Sequence, residues 1–209
     1  MTTSVRGEAP SWLNVSRETL AQLEAFVALV EKWQPAINLI AKRSVPVAWQ
    51  RHVLDSAQLF RACPSGASRW ADLGSGAGFP GIVIAIMAVE AQPQLRVTLV
   101  ESDKRKATFL MQASRQLGLD IVLITERAES LAPLMADVVS ARALASLSDL
   151  CPLALRHSKP GGIAVFPKGA QAEAELADTR RAWRFDATLL PSHTDPAGRI
   201  VIMKNIKHA

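Results

Sequence analysis

Arg69-Trp70-Ala71-Asp72-Leu73-Gly74-Ser75-Gly76-Ala77-Gly78-Phe79-Pro80-Gly81 is the stretch whose reading decides the fold. Trp70 to Leu73 is a short apolar run broken by one acid, and it reads as a strand. Four glycines then fall within eight residues, so the backbone can turn tightly and approach a ligand closely. Pro80 suits a helix start, where its fixed φ fits and its missing N–H is no loss. The apolar run Ile82 to Val89 predicts a helix buried against a sheet. Strand, glycine turn and helix start bring free N–H groups and the positive end of a helix dipole to one spot.

Gly76, Gly78 and Gly81 satisfy the dinucleotide pattern G-x-G-x-x-G. Asp72, two positions ahead of Gly74, argues for another ligand. A carboxylate there is awkward for a pyrophosphate and favourable for a cation. S-adenosylmethionine (SAM) carries an ammonium and a sulfonium, so D-x-G-x-G-x-G favours SAM over NAD. A plain tight turn has no need of four glycines beside an acid.

Working outward, 209 residues suffice for one α/β domain with a sizeable core and a small added element. Hydrophobic content is 49% and mean hydropathy +0.13, which excludes a disordered chain. The net charge of +5 permits a polyanionic partner. Residues 61–150 carry nine basic and nine acidic side chains, whereas 151–209 carry nine and five. A basic face therefore draws on the C-terminal quarter. Cys63 and Cys151 form no C-x-x-C, so no zinc site or disulfide framework is expected, in keeping with a reducing cytoplasm. No signal peptide or membrane span is read, and no metal is expected.

Residues 1–62 read as an N-terminal helical extension, and 63–209 as one compact ligand-binding domain. After a loose lead-in over 1–15, Ser16 is a candidate N-cap. Leu20, Leu23, Phe26, Val27, Val30 and Trp33 predict an amphipathic helix ending before Pro35. A second helix is expected from about Pro46 to Phe60, with Arg51, His52 and Asp55 near one face. Beyond the glycine loop, strands are read at 95–100, 120–125, 136–140 and 163–166. Helices are read from Asp103 to Leu117, Ser146 to His157 and Gln171 to Trp183. Lys159-Pro160-Gly161-Gly162 reads as a turn, and closing strands as 185–190 and 199–203. This alternation predicts a Rossmann-like, mostly parallel sheet with helices on both faces and an antiparallel closing strand.

Ligands in such sheets bind at the C-terminal strand edges. Those edges carry Asp72, Glu101, Arg127-Ala128-Glu129 and Arg142. Glu101 is placed to accept both ribose hydroxyls, and 127–129 lie where an adenine edge would be. The absence of tyrosine removes the N/D-P-P-Y motif that holds exocyclic amines. Cys151-Pro152 sits inside a helical segment and reads as structural. Of the histidines, only His52 lies near a plausible site; His157, His193 and His208 read as surface or loop residues.

These residues resemble the bacterial small-subunit ribosomal RNA guanine-N7 methyltransferases, the RsmG or GidB family. The marks are Asn38-Leu39, Arg51-His52-Val53-Leu54-Asp55-Ser56, the glycine loop, Lys104-Arg105-Lys106, Ser140-Ala141-Arg142-Ala143, Phe166-Pro167-Lys168-Gly169 and Arg199-Ile200-Val201. They cover about residues 20–206. Many members have Leu after the third loop glycine, where this chain has Phe79. The resemblance implies a class I SAM-dependent methyltransferase fold and methyl transfer from SAM to N7 of one guanine in 16S rRNA. It implies a SAM site of Asp72, Gly74, Gly76, Gly78, Phe79, Glu101, Ala128, Glu129 and Arg142. The RNA would be met by Arg51, His52, Lys104, Arg105, Arg127, Lys168 and Arg199, with His52, Arg127, Lys168 and Arg199 positioning the substrate. No general base is expected, the candidates for one being His52, Asp55 and Glu129. The partner would be 16S rRNA or the 30S subunit, met by a cytoplasmic monomer. Two other readings stay open: an NAD-dependent oxidoreductase, and a non-catalytic RNA-binding module on the same fold.

Overall fold

A computed structural model describes residues 9–209, so part of the lead-in lies outside the described residues. The first helix, α1 (Arg17–Ile37), starts at Ser16, whose Oγ accepts from the Thr19 N–H at 3.1 Å. Glu90 ties this start down: its Oε2 accepts from Thr19 Oγ1 at 2.6 Å and from the Ser16 N–H at 3.1 Å. Leu23, Phe26 and Val30 form the buried stripe. The helix runs through Pro35 instead of ending before it. Pro35 and Glu31 are both exposed, so water can meet the carbonyl that the proline leaves without a donor. Asn38, in the left-handed region at φ 39°, ends the helix.

One helix was expected from about Pro46 to Phe60; residues 42–62 form a broken one. A 3-10 stretch (Lys42–Val47) precedes a π-helical turn (Trp49–Leu54), a single α turn, α2 (Asp55–Ala57), and a second 3-10 stretch (Gln58–Ala62). The wide turn packs Trp49, His52, Val53 and Leu54 inward while Arg51 stays exposed. Such turns are frequent at functional sites.

The sheet comprises β1 (Arg69–Leu73), β2 (Arg96–Val100), β3 (Ile121–Ile124), β4 (Ala136–Ser140), β5 (Ser158–Lys168), β6 (Trp183–Pro191) and β7 (Arg199–His208). Its order is β3-β2-β1-β4-β5-β7-β6, and β7 alone runs antiparallel to its neighbours. Helices α3 (Gly81–Ala91), α4 (Lys104–Gln116), α5 (Leu147–His157) and α6 (Ala172–Thr179) cover its two faces. Lys159 to Gly162, expected as a turn, is an irregularity inside β5: the register jumps from Ala136↔Ser158 to Val138↔Ile163. The last helix stops at Thr179, and Trp183 already belongs to β6. No helix among the described residues is long and apolar enough to cross a membrane.

The sheet centre is held by one hydrogen-bonded chain. Trp70 Nε1–H donates to Ser140 Oγ at 2.8 Å, whose hydroxyl donates to Asp72 Oδ1 at 2.7 Å. Asp72 Oδ2 accepts from the Gly81 N–H, the first of α3, at 3.1 Å. One carboxylate thus joins β1, β4 and a helix N-terminus, with no solvent exposure. Burial raises its pKa to about 6, against the opposing pull of Ser140 and Gly81.

The raised value fixes a sign. The folded state holds this proton more tightly than the unfolded chain, so the contribution is full below about pH 4 and lost as pH rises through 6. Asp72→Asn cannot titrate. Urea unfolding of both proteins at pH 4.5 and pH 7 should show wild type losing about 2 kcal/mol relative to the variant on going up. An unchanged difference would mean that the carboxylate is not desolvated.

Candidate functional site

The glycine loop closes on itself behind β1. Gly74, Gly76 and Gly78 have φ of 67°, 57° and 89°, which side chains resist. At Gly78 a Cβ would also lie 2.9 Å from the Phe26 ring. Ser75 N–H donates to Val100 O at 3.0 Å, and Gly78 N–H to Ser75 O at 2.7 Å. Glu101 grips the loop from β2: its Oε2 accepts from the Gly76 N–H at 2.7 Å and its Oε1 from the Asp103 N–H at 2.8 Å. Asp103 in turn caps α4. Each Glu101 oxygen thus has one N–H partner and keeps a further lone pair.

Beside the loop, four charged or aromatic groups converge. The Arg142 guanidinium lies 5.4 Å from the centre of the Phe79 ring, and His52 packs on the same ring at 5.1 Å. Arg142 Nη1–H donates to His52 Nδ1 at 3.0 Å and faces Asp55 Oδ2 at 3.5 Å. Arginine cannot accept, so Nδ1 is the accepting nitrogen and neutral His52 carries its proton on Nε2. That proton goes to Ser44 Oγ at 3.0 Å, whose hydroxyl donates to Ala41 O at 2.7 Å. Burial, then Arg142 and Arg51, lowers the His52 pKa to about 4. His52 is therefore neutral at pH 7 with both nitrogens committed inside the protein. A phosphate contact, as expected for it from the sequence, is not available to this ring.

A cavity of about 740 Å³ opens here, between the C-terminal ends of the strands and residues 42–62. It gathers Arg51, His52, Asp55, Arg142, Lys168 and Arg199. Lys104, Arg105 and Arg127 lie outside it: the first two open α4, with Arg105 Nη2 donating to Ala36 O at 2.8 Å, and Arg127 precedes the turn after β3. Lys168 is engaged, donating to Ala145 O at 2.8 Å and to Glu175 Oε2 at 2.9 Å. With its side chain only 12% exposed, it supports the 145–147 loop and is not a free phosphate hook. Arg199 donates to Pro196 O and Gly198 O but stays partly open. The spacing of the sequence did not disclose Gln58, Ser192 or Thr194. Gln58 Nε2 donates to Asp55 Oδ1, Ser192 Oγ and Thr194 Oγ1, and its Oε1 accepts from the His193 N–H at 2.8 Å. His193 does lie in a loop, stacked on Trp12.

On the other side of the loop, Ala128 and Glu129 form a short turn after β3, Ala128 buried and Glu129 exposed. His157, expected at the surface, is fully buried at the end of α5. Its Nε2 donates to Ala128 O at 2.9 Å, and Arg156 Nε donates to Leu131 O at 2.7 Å. The two side chains hold both ends of the turn. Basic residues at a helix C-terminus were the available signal. Cys151 is buried in the same helix, and burial pushes its thiol up to about 12, so it is no nucleophile.

The clamp predicts a graded response. His157→Gln can still donate from a similar position, whereas His157→Phe cannot. Calorimetry with S-adenosylhomocysteine should show near-wild-type affinity for the first and a loss of about fivefold or more for the second. Equal affinities in all three would mean that the turn needs no clamp.

A family profile described as rRNA small subunit methyltransferase G matches residues 19–198. A Cereibacter sphaeroides protein named ribosomal RNA small subunit methyltransferase G is 54% identical over 196 residues, covering 94% of this chain and 95% of its own. A Ruegeria pomeroyi protein of the same name is 50% identical over 184 residues, covering 88% and 90%. Among solved structures, M. jannaschii TYW2 in complex with AdoMet aligns with TM-score 0.56 at 11% identity, covering 76% of each chain. An Aquifex aeolicus SAM-dependent methyltransferase aligns with TM-score 0.57 at 13% identity, covering 76% and 92%. The structural likeness establishes the fold, and the sequence matches establish that this chain belongs to the rRNA small subunit methyltransferase G family.

Proposed function

We propose that the protein transfers the methyl group of SAM to N7 of one guanine in 16S rRNA. The observation that carries this reading is a cationic cleft adjoining the glycine loop, in which the one histidine has no nitrogen to spare for a substrate proton. Guanine N7 suits such a cleft, because it attacks with an in-plane lone pair and has no proton to lose.

The residues present fit SAM. Positive φ at three loop glycines lets the backbone pass close to a ligand, and Glu101 offers outward lone pairs to a diol while its inner ones are fixed by two N–H groups. Ala128 and Glu129 stand at the adenine edge, with Phe79 and Arg142 at the loop's end. Asp72 acts from behind: it accepts from the first N–H of α3 and has no exposed edge for a sulfonium. When bound, SAM supplies an electrophilic methyl on a cationic sulfur.

The chain's own groups position the base. Arg142, fixed between His52, Asp55 and Phe79, sets the wall between the loop and the cleft. Arg51 and Arg199 at the cleft, and Lys104, Arg105 and Arg127 along the strand edge, attract phosphates without reading sequence. Alignment of this kind lowers a barrier without proton transfer. A monomer acting on 16S rRNA or the 30S particle in the cytoplasm completes the reading.

Labelled methyl transfer from SAM to 30S particles tests it, with the product mapped by borohydride reduction and aniline scission at N7-methylguanine. One modified guanine in 16S rRNA is the expected result. Label on an exocyclic amine, or a protein that takes up NADH and not S-adenosylhomocysteine, would overturn it. Arg199→Ala should lower transfer while leaving S-adenosylhomocysteine affinity unchanged, and should reduce the salt slope of RNA binding by about one unit.

A further inference from the structure

The cleft is built for a polyanion, yet its wall holds a half-buried carboxylate. Asp55 has its side chain 23% exposed. The other acid lining the cleft, Asp195, is exposed and accepts from the Ala197 N–H within its own turn. Against phosphates alone Asp55 would be a liability. Its setting is nevertheless elaborate. Gln58 Nε2 and Thr194 Oγ1 both donate to Oδ1 at 2.9 Å, which fills the two lone pairs of that oxygen. Among the described residues Oδ2 is left with only Arg142 Nη1, at the long distance of 3.5 Å. Gln58 itself is 1% exposed, so the arrangement is fixed before any ligand arrives.

We infer that Asp55 reads the base, its Oδ2 accepting from the N1–H and exocyclic N2–H edge of the target guanine; this rests on the guanine-N7 reading above. Unstacked RNA bases are commonly recognised on their Watson–Crick edges. On that edge guanine offers two adjacent donors, which the acceptor-only Oδ2 faces with its open side. Adenine puts an acceptor at N1, which a carboxylate repels. The edge also lies across the purine from N7, so gripping it leaves the reacting nitrogen free. A reader that used O6 and N7 would block it. Arg142 joins Asp55 to Phe79 of the glycine loop, so a base held at Oδ2 sits next to the methyl donor's side of the cleft. Methylation makes the ring cationic and its N–H groups stronger donors, so the contact tightens as the reaction proceeds. Asp55 takes no proton.

The test uses 30S particles reconstituted with guanosine or inosine at the position found modified. Inosine lacks only the N2 amine. Wild-type kcat/KM should be about 10- to 100-fold lower on inosine, and Asp55→Asn should bring the ratio close to one while keeping S-adenosylhomocysteine affinity. Thr194→Val, which removes one of the two donors that fix Oδ1 without removing charge, should narrow the ratio in part; it decides the matter if Asp55→Asn fails to fold. The inference is overturned if wild type treats the two bases alike, or if the folded variant keeps the full ratio. Wild type that methylates neither particle instead overturns the underlying reading.

Discussion

The structure depends on one buried carboxylate. Asp72 lies at the point where β1 ends, β4 runs alongside in register with Ser140, and α3 begins. Its two oxygens answer a side-chain hydroxyl and a helix-terminal N–H, so neither is orphaned. Full burial still costs desolvation, which is what raises its pKa. What it gains is geometry: the loop between β1 and α3 can leave the sheet only where Asp72 anchors both ends. Gly81 has to lack a side chain there, because Leu99 and Asp72 fill the space a Cβ would take. Glu101 performs the complementary task from β2, so two acids fix one glycine loop from two sides.

Arg142 plays the same part for the cleft. It is mostly buried, and it meets an aromatic ring of the glycine loop and, from the stretch over 42–62, a neutral imidazole and a carboxylate. The neutral state of His52 follows from this contact, since a protonated ring could not accept from a guanidinium. The broken helix over 42–62 supplies both His52 and Asp55 to it and leaves Arg51 exposed beside them. The helical extension is therefore part of the site's wall as well as cover for the sheet.

The sheet was legible in the sequence because alternating apolar runs and helix starts mark it plainly; Ser16 caps the first helix as expected, and Asp103 and Ser146, read as helix starts, cap theirs. The glycine loop and its two acids were equally visible, although Asp72 proved to face the helix N-terminus. Boundaries failed where tertiary contacts override local signals. Pro35 is tolerated because its turn faces water, and Lys159 to Gly162 bulges out of register inside β5 instead of ending the strand. Charge type alone did not distinguish Lys168, committed to Glu175, from open Arg51. His157 was misread because burial at a helix end depends on a turn 29 residues away in sequence. The Gln58 and Thr194 contacts, 136 residues apart, leave no periodic trace at all.

In the proposed reaction the site works by alignment and removes no proton. The single-turnover rate of methyl transfer, measured from pH 6 to 8 on prebound RNA, tests that claim most directly. Wild type and His52→Gln should both give flat profiles, since a histidine with pKa about 4 is neutral throughout. A wild-type rate that rises tenfold per pH unit below about 6.5, with the slope abolished in His52→Gln, would show proton transfer to His52 and contradict the account.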